Sequence, residues 1–321
     1  MKAVQFEKVG GPEILKLVDI PKPEVKPGMV LIRNHAAGLN FADTFFIRGE
    51  YAIKPRLPDI PGMEGAGVVE AVGDGVQDIK PGMRVAAISQ KTYAEYILAS
   101  RNFVFPIPDN MSFEEGAAFP IQTLTAWHML HTVEKVRSGQ TVVVHSAAGG
   151  VGIVAVQIAK AAGARVIGTV SNDDKAAVVR QYGADEVLNY LSQDFGAEVM
   201  RITNKRGADI ILDAVGKPTF DKGVKCLAPL GHLILYGRGS GLPDPFNVAR
   251  LMEKSTKVSG FVLPVVYGTD LMRAGVEGSF DLIRQGKLKM VVGKTYPLAG
   301  APNALRFLSS RQSFGKLVLQ A

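Results

Sequence analysis

The strongest chemical signal in the chain is a set of glycines at fixed spacing. Residues 141–152 read TVVVHSAAGGVG, an apolar run followed at once by the pattern Ala147-x-Gly149-x-x-Gly152. Between a strand and a helix, such glycines let the backbone approach a dinucleotide pyrophosphate, and the helix N-terminus directs N–H groups at its phosphates. The predicted contacts are Gly149, Gly150, Val151 and Gly152. The alternative is a turn without a ligand, since alanine replaces the first glycine of the strict pattern.

The end of the next apolar run indicates which dinucleotide is bound. A domain that binds NAD usually has an acid there for the ribose 2′-hydroxyl, but the run 166–170 ends in Ser171, with Lys175 close behind. A hydroxyl and an ammonium can hold a 2′-phosphate, which a carboxylate would repel. Asp173 and Asp174 are interpreted as cap and first-turn acids of the following helix. The sequence therefore predicts NADPH.

These residues require a strand–helix alternation to position them, and one follows residue 121. Strands are predicted at 141–145, 165–170, 186–189, 209–213 and 231–236, and helices at 150–162, 173–182, 192–203 and 218–226. Val142–Val144 and Ile210–Leu212 are entirely apolar, which is typical of parallel strands covered by helices on both faces. The prediction is an α/β fold with a Rossmann-type, doubly wound parallel sheet over residues 122–261.

Residues 1–121 have a different sequence pattern, in which short apolar runs are separated by proline and glycine turns such as Lys26-Pro27-Gly28 and Lys80-Pro81-Gly82. This pattern favours a partly closed β-barrel. A helix is predicted near 278–286, and the run 315–319 is predicted to be a strand that rejoins the barrel. The barrel domain would then be discontinuous, comprising 1–121 and 262–321.

Composition narrows the classes of protein that fit. A single cysteine, Cys226, excludes an internal disulfide and a multi-cysteine metal site. No apolar run reaches the roughly 18 residues that span a bilayer, and the N-terminus reads as a strand, so a cytoplasmic protein is predicted. The net charge is 37 − 30 = +7, which would suit an anionic partner. Without a dense basic block, nucleic acid is disfavoured.

The ordered motifs resemble one family over essentially the whole chain. They resemble the zinc-independent quinone oxidoreductases, the ζ-crystallin-like branch of the medium-chain dehydrogenase/reductase superfamily. The resemblance implies a GroES-like barrel beside the Rossmann domain and hydride transfer from NADPH to a quinone or activated enone. The motifs are Met1-Lys2-Ala3-Val4, Gly10-Gly11-Pro12-Glu13, Gly38-Leu39-Asn40-Phe41-Ala42-Asp43, Pro61-Gly62-Met63-Glu64-Gly65-Ala66-Gly67, the glycine motif, Val187-Leu188-Asn189-Tyr190 and Gly315-Lys316.

Departures from the zinc enzymes of that superfamily imply chemistry without a metal. Their catalytic cysteine is absent from the segment Asn40–Asp43, and Met63 stands where they have a histidine. Only seven residues separate Val85 from Tyr93, where a four-cysteine lobe would lie. The pair His128/His131 lacks an obvious third ligand. Without a Lewis acid, the acceptor must already be electrophilic.

The resemblance also implies the catalytic residues. Asn40 would donate a hydrogen bond to substrate or ribose, and Asp43 would orient it, unless the two are an Asx pair that stabilises a turn. Tyr51 matches the proton donor of medium-chain enoyl thioester reductases; the alternative is an aromatic lining residue. Thr125 stands where the zinc branch has its third ligand. The implied cofactor contacts are Ser171, Lys175, Tyr190, Val215, Gly237, Arg238, Phe261 and Arg311.

Three functions remain open from the sequence. The leading hypothesis is a quinone or enone oxidoreductase; the second is an enoyl-thioester reductase. The third, from another class, is a structural or RNA-binding protein regulated by NADPH. A homodimer is expected, because the strand near 257–261 could pair across a two-fold axis.

Overall fold

The computed structural model describes residues 1–321 and contains fifteen β-strands and nine α-helices. The strands are β1 (Lys2–Gln5), β2 (Lys16–Asp19), β3 (Met29–Gly38), β4 (Glu64–Val72), β5 (Arg84–Ile88), β6 (Tyr96–Ser100), β7 (Val104–Pro106), β8 (Thr141–Val144), β9 (Arg165–Val170), β10 (Glu186–Asn189), β11 (Ala208–Asp213), β12 (Leu227–Leu235), β13 (Lys257–Gly260), β14 (Val292–Pro297) and β15 (Lys316–Gln320). The helices are α1 (Phe41–Ile47), α2 (Phe113–Ala117), α3 (Pro120–His128), α4 (Gly150–Ala161), α5 (Asp173–Gln181), α6 (Phe195–Ile202), α7 (Phe220–Lys225), α8 (Asp270–Arg284) and α9 (Ala301–Ser309).

The chain divides into two compact units, and the second boundary differs from the prediction. One unit, called the barrel unit below, comprises Met1–Ile121 and Met290–Ala321, and the other, the Rossmann unit, is Gln122–Lys289. The segment 262–289 thus belongs with the Rossmann sheet. The physical reason is α8, which is longer than the predicted helix 278–286 and packs closely on α3. A Cβ on Gly278 would lie 2.2 Å from the Trp127 ring.

The Rossmann unit contains a six-stranded sheet in the order β10-β9-β8-β11-β12-β13, with every neighbouring pair parallel. Numbered from β8, this order is 3-2-1-4-5-6, the order of dinucleotide-binding sheets. All residues of β8 and β11 are buried, including the apolar runs Val142–Val144 and Ile210–Leu212 on which the prediction depends. The predicted doubly wound fold is confirmed.

Some element boundaries in this unit differ from the predictions. The helix expected at 192–203 begins only at Phe195, because the Asp194 side chain accepts a hydrogen bond from Ala197 N and caps it. Strand β12 begins at Leu227, four residues before the predicted start at 231.

The barrel unit is built on β3, which is ten residues long and pairs antiparallel with β4, β6 and β15. Its seven-stranded sheet follows the path β14-β15-β3-β4-β5-β7, with β6 added on β3. Strand β15, the last of the chain, therefore lies inside the sheet, between β14 and β3. Residues Leu317, Val318 and Leu319 are buried there.

None of the helices has the length and apolar character that crossing a lipid bilayer demands.

Candidate active site

The glycine turn connects β8 to α4 and is tightly closed. Ser146 has a φ of 54°, and Gly149 is the N-cap residue of α4. A Cβ on Gly152 would lie 2.3 Å from Ser146 O and 2.8 Å from Ala147 Cα. Glycine is therefore required at 152 for the first turn of the helix to lie against the loop. Gly149, Gly150 and Val151 remain partly exposed, so their backbone is accessible to a ligand.

This turn lies at the switch point of the Rossmann sheet. From β8, the neighbouring strands are β9 on one side and β11 on the other. The turn is fixed to both sides, since His145 N donates to Leu212 O at 3.0 Å and Ala147 N donates to Thr169 O at 3.1 Å. Ligands of open α/β sheets bind outside the carboxyl ends of strands at such a point. The residues present therefore fit a dinucleotide.

The segment after β9 has the polar character predicted for a 2′-phosphate contact. Ser171 and Lys175 are half-buried, at the end of β9 and in the first turn of α5. Burial lowers the pKa of Lys175. The cap of α5 is Asn172, whose side chain accepts from Lys175 N at 2.9 Å, and the exposed Asp173 and Asp174 occupy the first turn.

The loops after β11 and β12 lie against each other. Asp213, fully buried, accepts hydrogen bonds from Val215 N at 2.7 Å and from Gly216 N at 3.1 Å. A Cβ on Gly237 would lie 2.8 Å from Ala214 O. Val215 and Gly237 are thus adjacent at the carboxyl edge of the sheet. Neighbouring Arg238 is exposed.

Four further predicted residues are distributed over both units. In the Rossmann unit, Tyr190 is 41% exposed just after β10, whereas Phe261 after β13 and Thr125 in α3 are buried. Arg311 belongs to the barrel unit, directly after α9, with a φ of 59°.

The barrel unit contains a second concentration of polar groups, which we call the buried polar cluster: Asn40, Asp43, Glu64, Tyr93 and Lys316. Lys316 Nζ donates to Glu64 Oε1 at 2.5 Å and to Asn40 Oδ1 at 2.8 Å. Asn40 Nδ2 donates to Glu64 Oε1 at 2.8 Å. Asp43 Oδ2 accepts from Asn40 N and from Tyr93 OH, both at 2.8 Å. The two predicted residues, Asn40 and Asp43, are therefore brought together.

Burial changes the acidity of Asp43. The carboxyl group is fully buried, and this burial raises its pKa to about 6, although the hydrogen bonds from Asn40 N and Tyr93 OH act in the opposite direction. Its Oδ1 atom is buried without a hydrogen-bond partner. Asp43 can therefore take up a proton near neutral pH.

Tyr51 lies in the loop after α1 and is half-buried. Burial raises the pKa of its phenol, and the negative charge of Asp43 contributes in the same direction. The phenol is therefore protonated at neutral pH and can donate a hydrogen bond.

Comparison with known proteins shows the family to which the chain belongs. Residues 26–109 match the model of the alcohol dehydrogenase GroES-like domain, and residues 150–274 match that of the zinc-binding dehydrogenases. A quinone oxidoreductase of Pseudomonas aeruginosa is 37% identical, over 99% of both chains. The chain belongs to the quinone oxidoreductases of the medium-chain dehydrogenase/reductase superfamily.

Two further relatives agree with the family. A 2-haloacrylate reductase of Burkholderia is 34% identical over 99% of this chain and 98% of its own. The crystal structure of Escherichia coli quinone oxidoreductase complexed with NADPH superimposes with a TM-score of 0.95, at 32% identity, over all of both chains. The predicted family is confirmed, and the chain is an oxidoreductase.

No group of three or more His, Cys, Asp and Glu side chains is arranged to hold a metal ion. His128 is buried, with its Nδ1 2.9 Å from Thr132 Oγ1, while the ring of His131 stacks on Trp127. Both histidines thus have packing roles within the Rossmann unit.

Sequence reasoning missed Glu64, Tyr93 and Lys316 as members of the site. Glu64 and Lys316 occur in the motifs that carry the family resemblance, but those motifs alone do not indicate a role for either residue. A signal was available, because each is a charged residue at the start of an otherwise largely apolar strand, and both are almost fully buried. A buried charge is rare without a partner.

Proposed function

We propose that this enzyme transfers hydride from NADPH to a quinone or to an activated alkene. The observation that carries the proposal is similarity over the full length to proteins named quinone oxidoreductase and 2-haloacrylate reductase. One such relative was crystallised with NADPH, in agreement with the cofactor predicted from Ser171 and Lys175.

NADPH, when bound, supplies the hydride. The N–H groups in the first turn of α4 have no partner within the helix and can bind the pyrophosphate. Ser171 and Lys175 hold the 2′-phosphate, and a phosphate beside Lys175 favours the ammonium form that burial opposes. Tyr190, exposed after β10, covers the adenosine side.

The side chains favour an acceptor that is electrophilic without help from a metal. Met63 offers only a thioether, a poor ligand for a hard cation. Quinones and alkenes conjugated to an electron-withdrawing group accept hydride at carbon and develop negative charge on oxygen. Hydrogen-bond and proton donors can stabilise that oxygen.

The barrel unit supplies these donors. Asn40 donates a hydrogen bond from Nδ2 to the acceptor oxygen. The phenol of Tyr51 delivers the proton, and Asp43 orients Asn40 through its backbone N–H. The roles of Asn40 and Asp43 rest on the hydrogen bonds of the buried polar cluster. The role of Tyr51 rests on its match to the proton donor of the medium-chain enoyl thioester reductases.

The experiment is a turnover assay with three acceptors. NADPH binding is first measured by fluorescence titration, and NADPH oxidation is then followed with phenanthrenequinone, 2-chloroacrylate and a crotonyl thioester. Oxidation with the quinone or the chloroacrylate supports the proposal. Turnover with the thioester alone indicates an enoyl-thioester reductase, and NADPH binding without any turnover indicates a binding protein.

We also assign the enzyme a homodimeric state. Strand β13 is the last strand of the six-stranded sheet and is bonded only to β12. Val262 and Val265, just beyond it, are 60% and 63% exposed. A second copy pairing along β13 would cover this edge. Light scattering should give twice the 34.3 kDa of one chain; the mass of one chain would contradict the assignment.

The cytoplasm is the compartment proposed for the enzyme. Cys226 is the only cysteine and is buried, so the fold contains no internal disulfide that would need oxidising conditions. Fractionation of cells that express the protein tests this location.

A further inference from the structure

The pair Lys316 and Glu64 fixes which way the amide of Asn40 faces. The amide oxygen accepts from the Lys316 ammonium at 2.8 Å, and the amide nitrogen donates to Glu64 Oε1 at 2.8 Å. If the amide flipped, its NH₂ group would face the ammonium and its oxygen would face the carboxylate. Both contacts would then be repulsive, because an ammonium only donates and a carboxylate only accepts. One orientation is therefore enforced by charge.

The surrounding backbone makes room for this pair. A Cβ on Gly38 would lie 2.8 Å from Lys316 Cε and 3.0 Å from Glu64 Cγ. Ile121 N donates to Glu64 Oε2 at 2.7 Å, so both carboxylate oxygens have partners. The ion pair is thus held on several sides by the fold.

Stability alone does not account for a pair this deeply buried. The side chain of Lys316 is 3% exposed and that of Glu64 is fully buried. Removing two such charges from water costs about as much as their attraction returns, and apolar residues often replace a buried pair without loss. The pair instead fixes the orientation of the Asn40 amide.

Asn40 is the member of this triad that reaches the surface of the barrel unit. It is half-buried, whereas Glu64 and Lys316 are buried. Its Nδ2 atom carries two hydrogens, and Glu64 uses one. The cation on the amide oxygen draws electron density from the amide and strengthens the remaining N–H as a donor.

We infer that Lys316 and Glu64 are positioning residues that orient and polarise Asn40, so that its second amide hydrogen is presented to the oxygen of the acceptor. This inference rests on the proposed function, since it requires an acceptor whose oxygen becomes electron-rich as hydride arrives. Lys316 itself need not touch the substrate. Its effect on the rate must pass through Asn40.

A double-mutant cycle tests that dependence. Lys316→Met, Asn40→Ala and the combined variant are compared with wild type in kcat for phenanthrenequinone and in Kd for NADPH. Lys316→Met is expected to lower kcat by about 10- to 100-fold, the loss typical of a misplaced catalytic group, without a change in Kd. In the Asn40→Ala background the same change should cost nothing further. Additive losses would overturn the inference.

Two controls separate positioning from folding. Asn34→Ala removes another buried amide of the barrel unit, which donates to Thr92 O and Ala94 O at 2.9 Å; it should lower the melting temperature but leave kcat unchanged. If Lys316→Met does not fold, the variant Lys316→Met/Glu64→Gln removes the unpaired charge. It should recover stability and remain slow.

Each remaining outcome is decisive. If Lys316→Met/Glu64→Gln has the kcat of wild type, the ion pair of Lys316 and Glu64 has only a structural role. The same conclusion follows if Asn34→Ala is as slow as Lys316→Met. If the wild-type enzyme does not oxidise NADPH when a quinone or an activated alkene is supplied as acceptor, the proposed function is overturned. This inference is then overturned with it.

Discussion

The glycine turn of the Rossmann unit and the buried polar cluster of the barrel unit handle polar groups by opposite means. The turn uses backbone N–H groups and the absence of a side chain at Gly152, where a Cβ would collide with Ser146 O. The cluster uses long charged side chains, with Lys316 and Glu64 joined across 252 residues of sequence. The first arrangement suits a ligand that supplies its own charge; the second suits an acceptor that becomes charged only during the reaction.

Among the variants that test this difference between the two units, the largest effect is expected for the proton donor of the barrel unit. Tyr51→Phe should lower turnover of an enone by about 100- to 10,000-fold, the usual contribution of a general acid. Quinones should be less affected, because the reduced quinone oxygens take protons from water readily. Steady-state kinetics with both acceptors provide the measurement.

The matched control for Tyr51 is Tyr296→Phe, a half-buried tyrosine of the same unit, which should retain wild-type kinetics. Unchanged turnover of both acceptors by Tyr51→Phe would refute the donor role.

The pH dependence of stability should have opposite signs in the two units. Because burial raises the pKa of Asp43 from 3.8 to about 6, the folded protein holds this proton more tightly than the unfolded chain. The associated stability is full below about pH 4 and is lost as the pH rises through 6. The free energy of unfolding of wild type, relative to Asp43→Asn, should fall by about 3 kcal/mol over that range.

Asp209 of the Rossmann unit provides the contrast. Burial raises its pKa, but hydrogen bonds from Arg206 and Thr141 N, with the charge of Arg206, outweigh burial and lower it. Its contribution to stability is therefore present above the ordinary pKa and is lost as the pH falls through the lowered one. Denaturant titrations should show that the free energy of unfolding of wild type, relative to Asp209→Asn, rises with pH, whereas relative to Asp43→Asn it falls. Slopes of the same sign would contradict both assignments.

The next largest effects are expected from a substitution that disturbs the tight packing of the glycine turn. Gly152→Ala should cost about 1–3 kcal/mol of stability by overpacking, and should weaken NADPH binding by about 10- to 100-fold as the N–H groups of α4 shift. Gly196→Ala, in the first turn of α6, is the control, since its Cβ meets nothing nearer than 3.3 Å. If both variants bind NADPH like wild type, the turn does not hold the cofactor.

The smallest effect concerns the 2′-phosphate. Lys175→Met should weaken NADPH binding by about tenfold, the loss of one charged hydrogen bond, and leave NADH binding unchanged. Lys217→Met removes an exposed lysine paired with Asp244 at 2.9 Å and should alter neither. Equal weakening of NADPH and NADH would argue against a phosphate contact at Lys175.

The two regions also differ in how far the sequence could predict them. The turn is local: strand, glycines and helix follow within twelve residues, so its position and its ligand class could be predicted. The cluster is not local. Glu64 and Lys316 meet only because β15 inserts beside β3, and no short pattern encodes that neighbour relation. Tyr93 could not be predicted either, because its role depends on a hydrogen bond from its hydroxyl to Asp43, 50 residues away in the sequence.

The boundary between the units was predicted imperfectly for a related reason. The sequence predicts that the barrel's second segment starts at 262, whereas packing of α8 on α3 keeps residues to 289 in the Rossmann unit. Glycines 275 and 278 permit that close approach, but their partners, His128 and Trp127, are remote in sequence. The predicted helix is also too short, because α8 begins at Asp270, with Thr269 at the N-cap position, eight residues before the predicted start.

The position of β15 has a consequence for how the protein is made. Every strand of the six-stranded sheet lies between residues 141 and 260, so that sheet is complete on a growing chain before Lys316 has been synthesised. The barrel must wait, with Glu64 lacking its cation, until β15 emerges from the ribosome. A chain that stops short of Lys316 would carry an uncompensated carboxylate in the barrel interior, where a buried charge without a partner is strongly destabilising.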